Sequence, residues 1–179
     1  MTKDEWHSAF RILHSPFRIP LSHVFLSIGS NLGDRAANLQ AAIQALSPWV
    51  QVQASSHVYE TAPWGYTDQP AFLNMALSGP THLPPRRLLA VLKGIEMRLG
   101  RRSTFRYGPR VIDLDIIFYD DLCLDTPCLS IPHPRMHQRA FVLVPLCDIA
   151  PQWMHPRLHK TVRALRAEIS SQEVRMFIP

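Results

Sequence analysis

Short apolar segments near the start of the chain predict a strand followed by a helix. Residues 24–28, VFLSI, form a largely apolar run that is typical of a buried strand. The stretch GSNLGD ends this run, and Asp34 is a suitable N-cap for the helix that follows. Apolar residues recur at helical spacing in that helix, at Leu39, Ala42, Ile43 and Leu46.

Alternation and turn residues predict the next elements. From Val50, the stretch VQVQASSHVY alternates apolar and polar residues, as a half-buried strand does. ETAPWGYTDQP is rich in turn residues and predicts a loop, and FLNMALS predicts a third strand. A second helix is expected from Pro84 and Pro85, where proline suits the first turn, to Gly100. Its apolar stripe consists of Leu88, Val91, Leu92, Ile95 and Leu99.

The second half of the chain completes a recognisable order of elements. A cationic loop, RRSTFRYGPR, precedes a strand of β-forming residues, VIDLDIIFY. FVLVPL is ambiguous between helix and strand, and residues 161–170 predict a C-terminal helix. The order β-α-β-β-α-β predicts an α+β fold with a ferredoxin-like core, plus extra C-terminal elements. In such a core the helices pack on one face of an antiparallel sheet.

The composition is that of a globular protein with a basic balance. A length of 179 residues fits one domain, and no segment approaches the roughly 18 apolar residues of a membrane span. We expect a single domain at 23–179 after a poorly ordered extension at 1–22, which lacks the apolar segment of a secretory signal. The net charge of +5 suits an anionic partner, either nucleic acid or a phosphorylated small molecule.

The cysteines indicate the cellular compartment. Cys123, Cys128 and Cys147 are odd in number and lack zinc-like spacing. We interpret them as free thiols in a reducing compartment, which predicts a cytoplasmic protein. We also expect a monomer.

Two carboxylates inside a predicted strand are the first candidate for chemistry. Asp113 and Asp115 are two residues apart, so they share one face of the strand. Such a pair becomes favourable when a hard cation such as Mg²⁺ lies between the carboxylates. The DxD pattern alone favours a simpler interpretation, a solvated pair on an exposed face. The opposite face is predicted to carry Ile112, Leu114, Ile116 and Phe118.

The residues around the pair favour a nucleotide site. Arg101, Arg102, Arg106 and Arg110 precede the strand, and guanidinium groups bind phosphate in a bidentate fork. The alternative is a surface loop that happens to be basic. No Walker-A GK[ST] loop is present in the sequence.

The third strand carries a candidate pocket for a flat heterocycle. Phe72 and Asn74 share a face, so one could stack on a ring and the other could hydrogen-bond to its edge. Taken alone, a core phenylalanine beside an exposed asparagine is the more common arrangement. Thr61, Pro63 and Trp64 in the preceding loop could form a wall of the same pocket.

Taken together, these stretches resemble one family. FLSIGSNLGD, YETAPWG, DQPAFLNMAL, GRRSTFRYGPRVIDLDIIFY, IPHPRMHQRAFVLVPL and DIAPQ are similar to the successive motifs of 6-hydroxymethyl-7,8-dihydropterin pyrophosphokinase. The resemblance implies an enzyme of folate biosynthesis that transfers pyrophosphate from ATP to the hydroxymethyl group of the pterin and releases AMP. Tyr107 and Phe72 depart from the family pattern, in which tryptophan and tyrosine are common.

The resemblance also implies roles for individual residues. Asp113 and Asp115 would hold two Mg²⁺ ions and, with Arg101 and Arg110, form the catalytic set. The residues expected to bind the nucleotide are Glu96, Arg106, Tyr107, Arg110, Ile116, Ser130, His133 and Arg139. The residues expected to surround the pterin, whose ring would lie between Phe72 and Phe141, are Thr61, Pro63, Trp64, Phe72, Asn74 and Phe141.

Two other functions fit parts of the sequence. A nucleotidyl- or glycosyl-transferase could use the same DxD metal site, but it would release pyrophosphate or a nucleoside diphosphate. A basic nucleic-acid-binding domain of ferredoxin-like fold would need several exposed aromatic residues on central strands. FLNMALS has one aromatic residue, and the acidic pair would repel a phosphate backbone. We therefore expect small-molecule substrates and no nucleic-acid or membrane partner.

Overall fold

The computed structural model describes residues 21–102, 105, 107–171 and 173–178. Most of the predicted extension, and Arg106 of the cationic loop, lie outside these residues. The strands are β1 Ser22–Ser30, β2 Ala54–Ser55, β3 Tyr59–Thr61, β4 Phe72–Thr81, β5 Asp113–Tyr119, β6 Leu124–Asp125, β7 Ser130–Ile131 and β8 Val174–Met176. The helices are α1 Arg35–Leu46, α2 Pro85–Arg98, α3 Ala140–Ile149 and α4 Val162–Ala167, with a 3₁₀ turn at Met136–Gln138.

Six of the described strands form one antiparallel sheet. Its order is β5-β1-β4-β3-β8, with β2 also paired to β4. The long strands β1 and β4 lie in the middle, so the residues that they present are the most enclosed. Strands β6 and β7 form a separate hairpin.

The helices of the core form as their caps and spacing predict. Asp34 caps α1, its carboxylate accepting a hydrogen bond from the Ala37 amide at 3.0 Å. Pro85 opens α2, and Gly100 follows its end at a φ of +94°, a conformation that favours glycine. Both helices pack on one face of the sheet, where Leu26, Leu77 and Leu92 are buried in the main apolar cluster.

The C-terminal elements cover the opposite face. Here Phe25, Ile117 and Phe118 pack against Leu143 of α3 and Leu165 of α4. The segment FVLVPL, ambiguous from sequence, belongs to helix α3. Its residues 142–146 are all buried, so packing outweighs the cost of a proline inside the helix.

Three local expectations differ from the structure. The predicted strand from Val50 is reduced to β2 and β3, because residues 50–53 bond irregularly to helix α1 and to the edge of β4. Phe118 does not share a face with Ile116, since a register shift between Phe25 and Leu26 marks an irregularity in the β1–β5 pairing. The C-terminal helix is shorter than predicted, and strand β8 was not predicted at all.

Candidate active site

One face of the sheet is apolar at one end and carries polar groups at the other. Near α3 and α4 it is apolar, with Phe25 and Ile117 buried beneath the helices. Beyond these helices the same face opens into a cavity of about 310 Å³. The sheet residues that line this cavity are Ser27, Gly29, Phe72, Asn74, Asp113 and Asp115. The predicted shared faces of β4 and β5 therefore meet in one cavity.

Gly29 of β1 brings the two candidate chemical groups together. It pairs with Asp113 of β5 on one side and with Asn74 of β4 on the other. A Cβ atom at this position would lie 2.4 Å from Asn74 Oδ1, so the Asn74 amide occupies the space that a side chain would take. The carboxylate end and the aromatic end of the cavity are thus one strand apart.

Asp113 is held between two guanidinium groups. Arg101 Nη1 donates to its Oδ1 at 2.6 Å, and Arg110 Nη1 donates to its Oδ2 at 2.9 Å. Both arginines also line the cavity. This arrangement neutralises the carboxylate and presents two phosphate-binding groups beside it.

Glu96 of α2 holds the residues at the carboxylate end of the cavity in place. Its carboxylate accepts hydrogen bonds from the Leu114 amide at 2.7 Å and from Lys93 Nζ at 2.7 Å. Its second oxygen lies 2.7 Å from Arg101 Nη1. Glu96 is only 2% exposed, so these partners are what make its burial tolerable. It fixes Arg101 in position and does not line the cavity.

Asp115 occupies a more costly environment than Asp113. Burial and the neighbouring Asp113 carboxylate raise the pKa of Asp115 to about 6. Among the described residues, its nearest ion-pair partner is Lys93 Nζ, 4.0 Å from Oδ1, which is too far for a hydrogen bond. The folded protein without ligands therefore carries an incompletely compensated carboxylate at this position.

The other end of the cavity is aromatic. Phe72, Trp64 and Phe141 line it, and the Trp64 and Phe141 rings lie 6.3 Å apart in an edge-to-face arrangement. Asn74 Nδ2 donates to Thr61 Oγ1 at 2.7 Å, which fixes the orientation of the amide. A flat, polar ring could be enclosed by the aromatic groups and hydrogen-bonded by the amide.

Two arginines join the aromatic end to the carboxylate end. The guanidinium of Arg110 lies 5.6 Å from the centre of the Phe72 ring, and that of Arg139 lies 5.4 Å from the centre of the Phe141 ring. The Nε atoms of both arginines are buried without a hydrogen-bond partner. Such atoms are suited to a ligand that brings acceptor oxygens.

His133 lies beside Arg139 and lines the same cavity. Burial, with the positive charges of Arg139 and Arg135 nearby, lowers the pKa of His133 to about 4. The ring is therefore neutral at pH 7 and is a hydrogen-bonding group there.

We expect a histidine NMR titration to give His133 a pKa near 4, below its ordinary 6.5. Because the unfolded state binds this proton first, the contribution of His133 to stability should be lost as the pH falls from about 6.5 towards 4. The difference in free energy of unfolding between the wild type and His133→Gln should show this pH dependence. A His133 pKa at or above 6.5 in the ligand-free protein would contradict this assignment.

Most of the residues predicted for the site lie together, and a few do not. Tyr107 also lines the cavity, whereas Arg106 lies outside the described residues. Pro63 lines a second cavity, of about 380 Å³, which shares Trp64 with the main one. Ile116 faces the apolar core, and Ser130 lies on the β6–β7 hairpin. Neither contributes a side chain to the main cavity.

Two cationic residues of the cavity were not predicted. Lys93 stands three residues before Glu96 on α2, and Arg135 stands two residues after His133. A basic residue at a helical i−3 position to a buried glutamate is a weak signal, and it could have indicated Lys93. Arg135 lies within the stretch IPHPRMHQRAFVLVPL but has no distinguishing pattern of its own.

The donor set suits Mg²⁺ bound together with a phosphate. Among the described residues, no group of three or more His, Cys, Asp and Glu residues could hold a metal by itself. Mg²⁺ in nucleotide sites takes one or two carboxylates and completes its shell with water and phosphate oxygens. Asp113 and Asp115 fit that requirement. No helix in the described part of the chain is long and apolar enough to cross a membrane.

Fold and site together define a class: an α+β transferase whose cavity joins a carboxylate pair and several cations to an aromatic pocket. A model of the 7,8-dihydro-6-hydroxymethylpterin-pyrophosphokinase (HPPK) family matches residues 25–151. The chain therefore belongs to this family, which confirms the resemblance noted in its sequence. The enzymes of this family use ATP as co-substrate and transfer pyrophosphate to hydroxymethyldihydropterin in folate synthesis. The nucleotidyl- or glycosyl-transferase and the nucleic-acid-binding domain considered from the sequence are not favoured.

Individual relatives agree with the family assignment. The 2-amino-4-hydroxy-6-hydroxymethyldihydropteridine pyrophosphokinase of Aquifex aeolicus is 38% identical over 83% of this chain and 92% of its own length. The protein of the same name from Methylorubrum extorquens is 46% identical over 73% of this chain and 84% of its own. A folic acid synthesis protein of Dictyostelium discoideum is 45% identical over 82% of this chain, which spans only 22% of that longer protein.

Solved structures support the fold. Wild-type Plasmodium falciparum HPPK-DHPS superposes with a TM-score of 0.65 at 18% identity, covering 83% of this chain and 44% of that chain. A triple mutant of the same protein gives a TM-score of 0.69 over 86% of this chain and 45% of that chain. At this identity the likeness concerns the fold alone.

Proposed function

We propose that this chain transfers pyrophosphate from ATP to the hydroxymethyl group of 6-hydroxymethyl-7,8-dihydropterin and releases AMP. One observation carries the proposal for this cavity: Asp113 and Asn74 flank Gly29 from opposite sides. A phosphate chain held at the carboxylate end would then end close to a ring held at the aromatic end. Such proximity converts the transfer into a reaction within one bound complex.

At the carboxylate end, we assign two Mg²⁺ ions to Asp113 and Asp115. When bound, the metals neutralise charge on the triphosphate and lower the pKa of the attacking hydroxyl. The side chains of the protein align the two substrates. Arg101 and Arg110 flank Asp113 and can transfer their hydrogen bonds from its carboxylate to phosphate oxygens.

The cations near the aromatic end have a complementary role. Arg139 is 8% exposed and, among the described ion pairs, has no carboxylate partner. Its charge, and the neutral His133 ring next to it, are available to phosphate oxygens of the nucleotide. Because the pyrophosphate group moves as a unit, attack falls on the β-phosphorus, and these groups hold the γ end as the bond to the α-phosphate oxygen breaks.

We expect Asn74→Ala to weaken pterin binding selectively. The substitution leaves Thr61 Oγ1 and the polar edge of the pterin without a partner, a cost of about 1–3 kcal/mol, or about five- to 150-fold in Kd. Calorimetric titration with the pterin and with a non-hydrolysable ATP analogue measures both affinities. The affinity for the analogue is the internal control and should change little. An equal loss for both ligands would contradict the assignment of Asn74 to the pterin.

The product assay tests the proposed function. With ATP, Mg²⁺ and hydroxymethyl dihydropterin, we expect AMP to form in a 1:1 ratio to the pterin consumed. Resolution of the nucleotides by chromatography measures the ratio. Dominant formation of ADP or free phosphate would contradict the proposal.

We also propose that the sheet and the helices α1 and α2 form a ferredoxin-like core. The strand order β5-β1-β4-β3, with α1 and α2 on one face, supports a ferredoxin-like core. We further propose that the chain is a cytoplasmic monomer. Light scattering on the purified protein would test the monomeric state.

A further inference from the structure

We infer that Arg135 is a positioning residue for the reaction, acting through the Tyr107 side chain. The inference rests on the proposed function. Arg135 lines the main cavity, but among the described ion pairs it has no carboxylate partner. Its side chain is directed at Tyr107 of the cationic loop, which also lines the cavity.

Two interactions fix the Tyr107 ring relative to Arg135. Arg135 Nη1 donates a hydrogen bond to the Tyr107 hydroxyl oxygen. The guanidinium carbon of Arg135 also lies 5.6 Å from the centre of the Tyr107 ring. The hydrogen bond restrains the tip of the side chain, and the contact with the ring restrains its tilt.

The other side of Tyr107 rests on the loop that precedes β4. A Cβ atom at Gly65 would lie 2.9 Å from Tyr107 Cδ2, so the ring is seated directly on the glycine backbone. Gln69 Nε2 of the same loop donates to the Tyr107 carbonyl oxygen at 2.8 Å. Tyr107 itself has a φ of +64°, a conformation that costs a non-glycine residue about 1–2 kcal/mol. The surrounding contacts must offset that cost.

The location of Tyr107 connects this contact to the chemistry. It lies three residues before Arg110, whose guanidinium holds Asp113 and stacks on Phe72. A second link fixes Arg110 from the strand side, because its amide donates to Asn31 Oδ1 at 2.8 Å. Releasing the Tyr107 ring would loosen the loop on the N-terminal side of Arg110. Arg135 thus sets the relative position of the nucleotide end and the pterin end.

Three variants test this role while preserving the charges of the cavity. Tyr107→Phe removes the hydroxyl that accepts the hydrogen bond from Arg135. Arg135→Lys keeps the positive charge but removes the planar group over the ring. The third variant combines both changes. The control, Arg87→Lys, makes the same chemical change at an exposed residue of α2 outside the cavity.

A positioning role predicts a split between turnover and binding. Each single variant should lower kcat about five- to tenfold, since misalignment affects the transition state most. The Kd values for the pterin alone and for the ATP analogue alone should change less than about twofold. The double variant should lose less than the product of the two single losses, because both changes disrupt contacts of the same side-chain pair.

Other outcomes would overturn the inference. Unchanged kcat in the single variants, or losses that multiply in the double variant, would show that the two residues act separately or not at all. A fall in kcat explained by a matching loss of folded protein would indicate structural support only. Wild-type turnover is measured in the same series. If the wild type forms no AMP, the proposed function fails; if it does and the variants are unaffected, only the role of Arg135 fails.

Discussion

Substituting Asp115 by asparagine should abolish most turnover without weakening the ligand-free fold. The change removes a proposed hard anionic ligand of Mg²⁺, and a bound metal contributes several kcal/mol to charge stabilisation in the transition state, so kcat should fall at least about 100-fold. In the ligand-free protein, the carboxylate is partly buried and its pKa is raised to about 6. Removing its charge should therefore leave the midpoint of thermal unfolding in EDTA unchanged or higher at pH 7.

The dependence of stability on pH follows from the proton that Asp115 binds. Because Asp115 titrates near pH 6 when folded and near 3.8 in its ordinary state, the folded protein binds the extra proton between these values. Without metal, the contribution of Asp115 to stability should then decline as the pH rises from about 4 to 6, opposite in sign to the contribution of His133. The difference in free energy of unfolding between the wild type and Asp115→Asn isolates the Asp115 contribution.

Asp113→Asn is the matched comparison, and it should behave differently. It should lose turnover to a similar extent. However, the Asp113 carboxylate accepts charged hydrogen bonds from Arg101 and Arg110, so the substitution should destabilise the ligand-free fold by roughly 1–3 kcal/mol. Preserved activity in either variant would mean that the metals are held elsewhere.

Substituting Arg101 by alanine should cost both stability and activity. The guanidinium lies 2.7 Å from Glu96 Oε2 and 2.6 Å from Asp113 Oδ1. Its loss removes a proposed phosphate ligand and a partner of a nearly fully buried carboxylate. Breaking a buried pair costs about 3–5 kcal/mol; because Glu96 keeps Lys93 and the Leu114 amide, we expect about 2–3 kcal/mol.

Turnover of Arg101→Ala should fall at least about 100-fold, the scale of losing one group that stabilises transition-state charge. Urea unfolding and steady-state kinetics measure the two effects. Arg102→Ala is the control for stability, because Arg102 is the next residue and is exposed. Its free energy of unfolding should change by less than about 0.5 kcal/mol. Equal destabilisation by both substitutions would contradict the role of Glu96 as an anchor for Arg101.

Local signals in the sequence were sufficient for the main elements of the fold. The Asp34 cap, the proline at the start of α2 and the apolar runs of β1, β4 and β5 each act within a few residues, so they can be identified without tertiary information. Helix α3 and strand β8 could not be assigned in this way. Helix α3 is determined by burial against the sheet, and β8 by its pairing with β3.

The same distinction between local signals and tertiary contacts applies to the site. The shared faces of Asp113 with Asp115, and of Phe72 with Asn74, follow from the period of a strand. The face of Phe118 did not, because it depends on a register irregularity between two strands that are distant in sequence. The unequal environments of the two aspartates could be identified only from the structure. There, among the described ion pairs, Arg101 and Arg110 pair with Asp113 and not with Asp115. Lys93 and Arg135 reach the cavity through packing that leaves no clear pattern in the sequence.

Labelled ATP tests the central claim most directly, because it identifies which phosphorus is attacked. One reaction contains ATP labelled at the α-phosphate, and a parallel reaction contains ATP labelled at the γ-phosphate, each with Mg²⁺ and hydroxymethyl dihydropterin. We predict that the α label is recovered in AMP and that the γ label is recovered in the pterin product at the same rate. The α label in the pterin, or the γ label as free phosphate, would contradict the account.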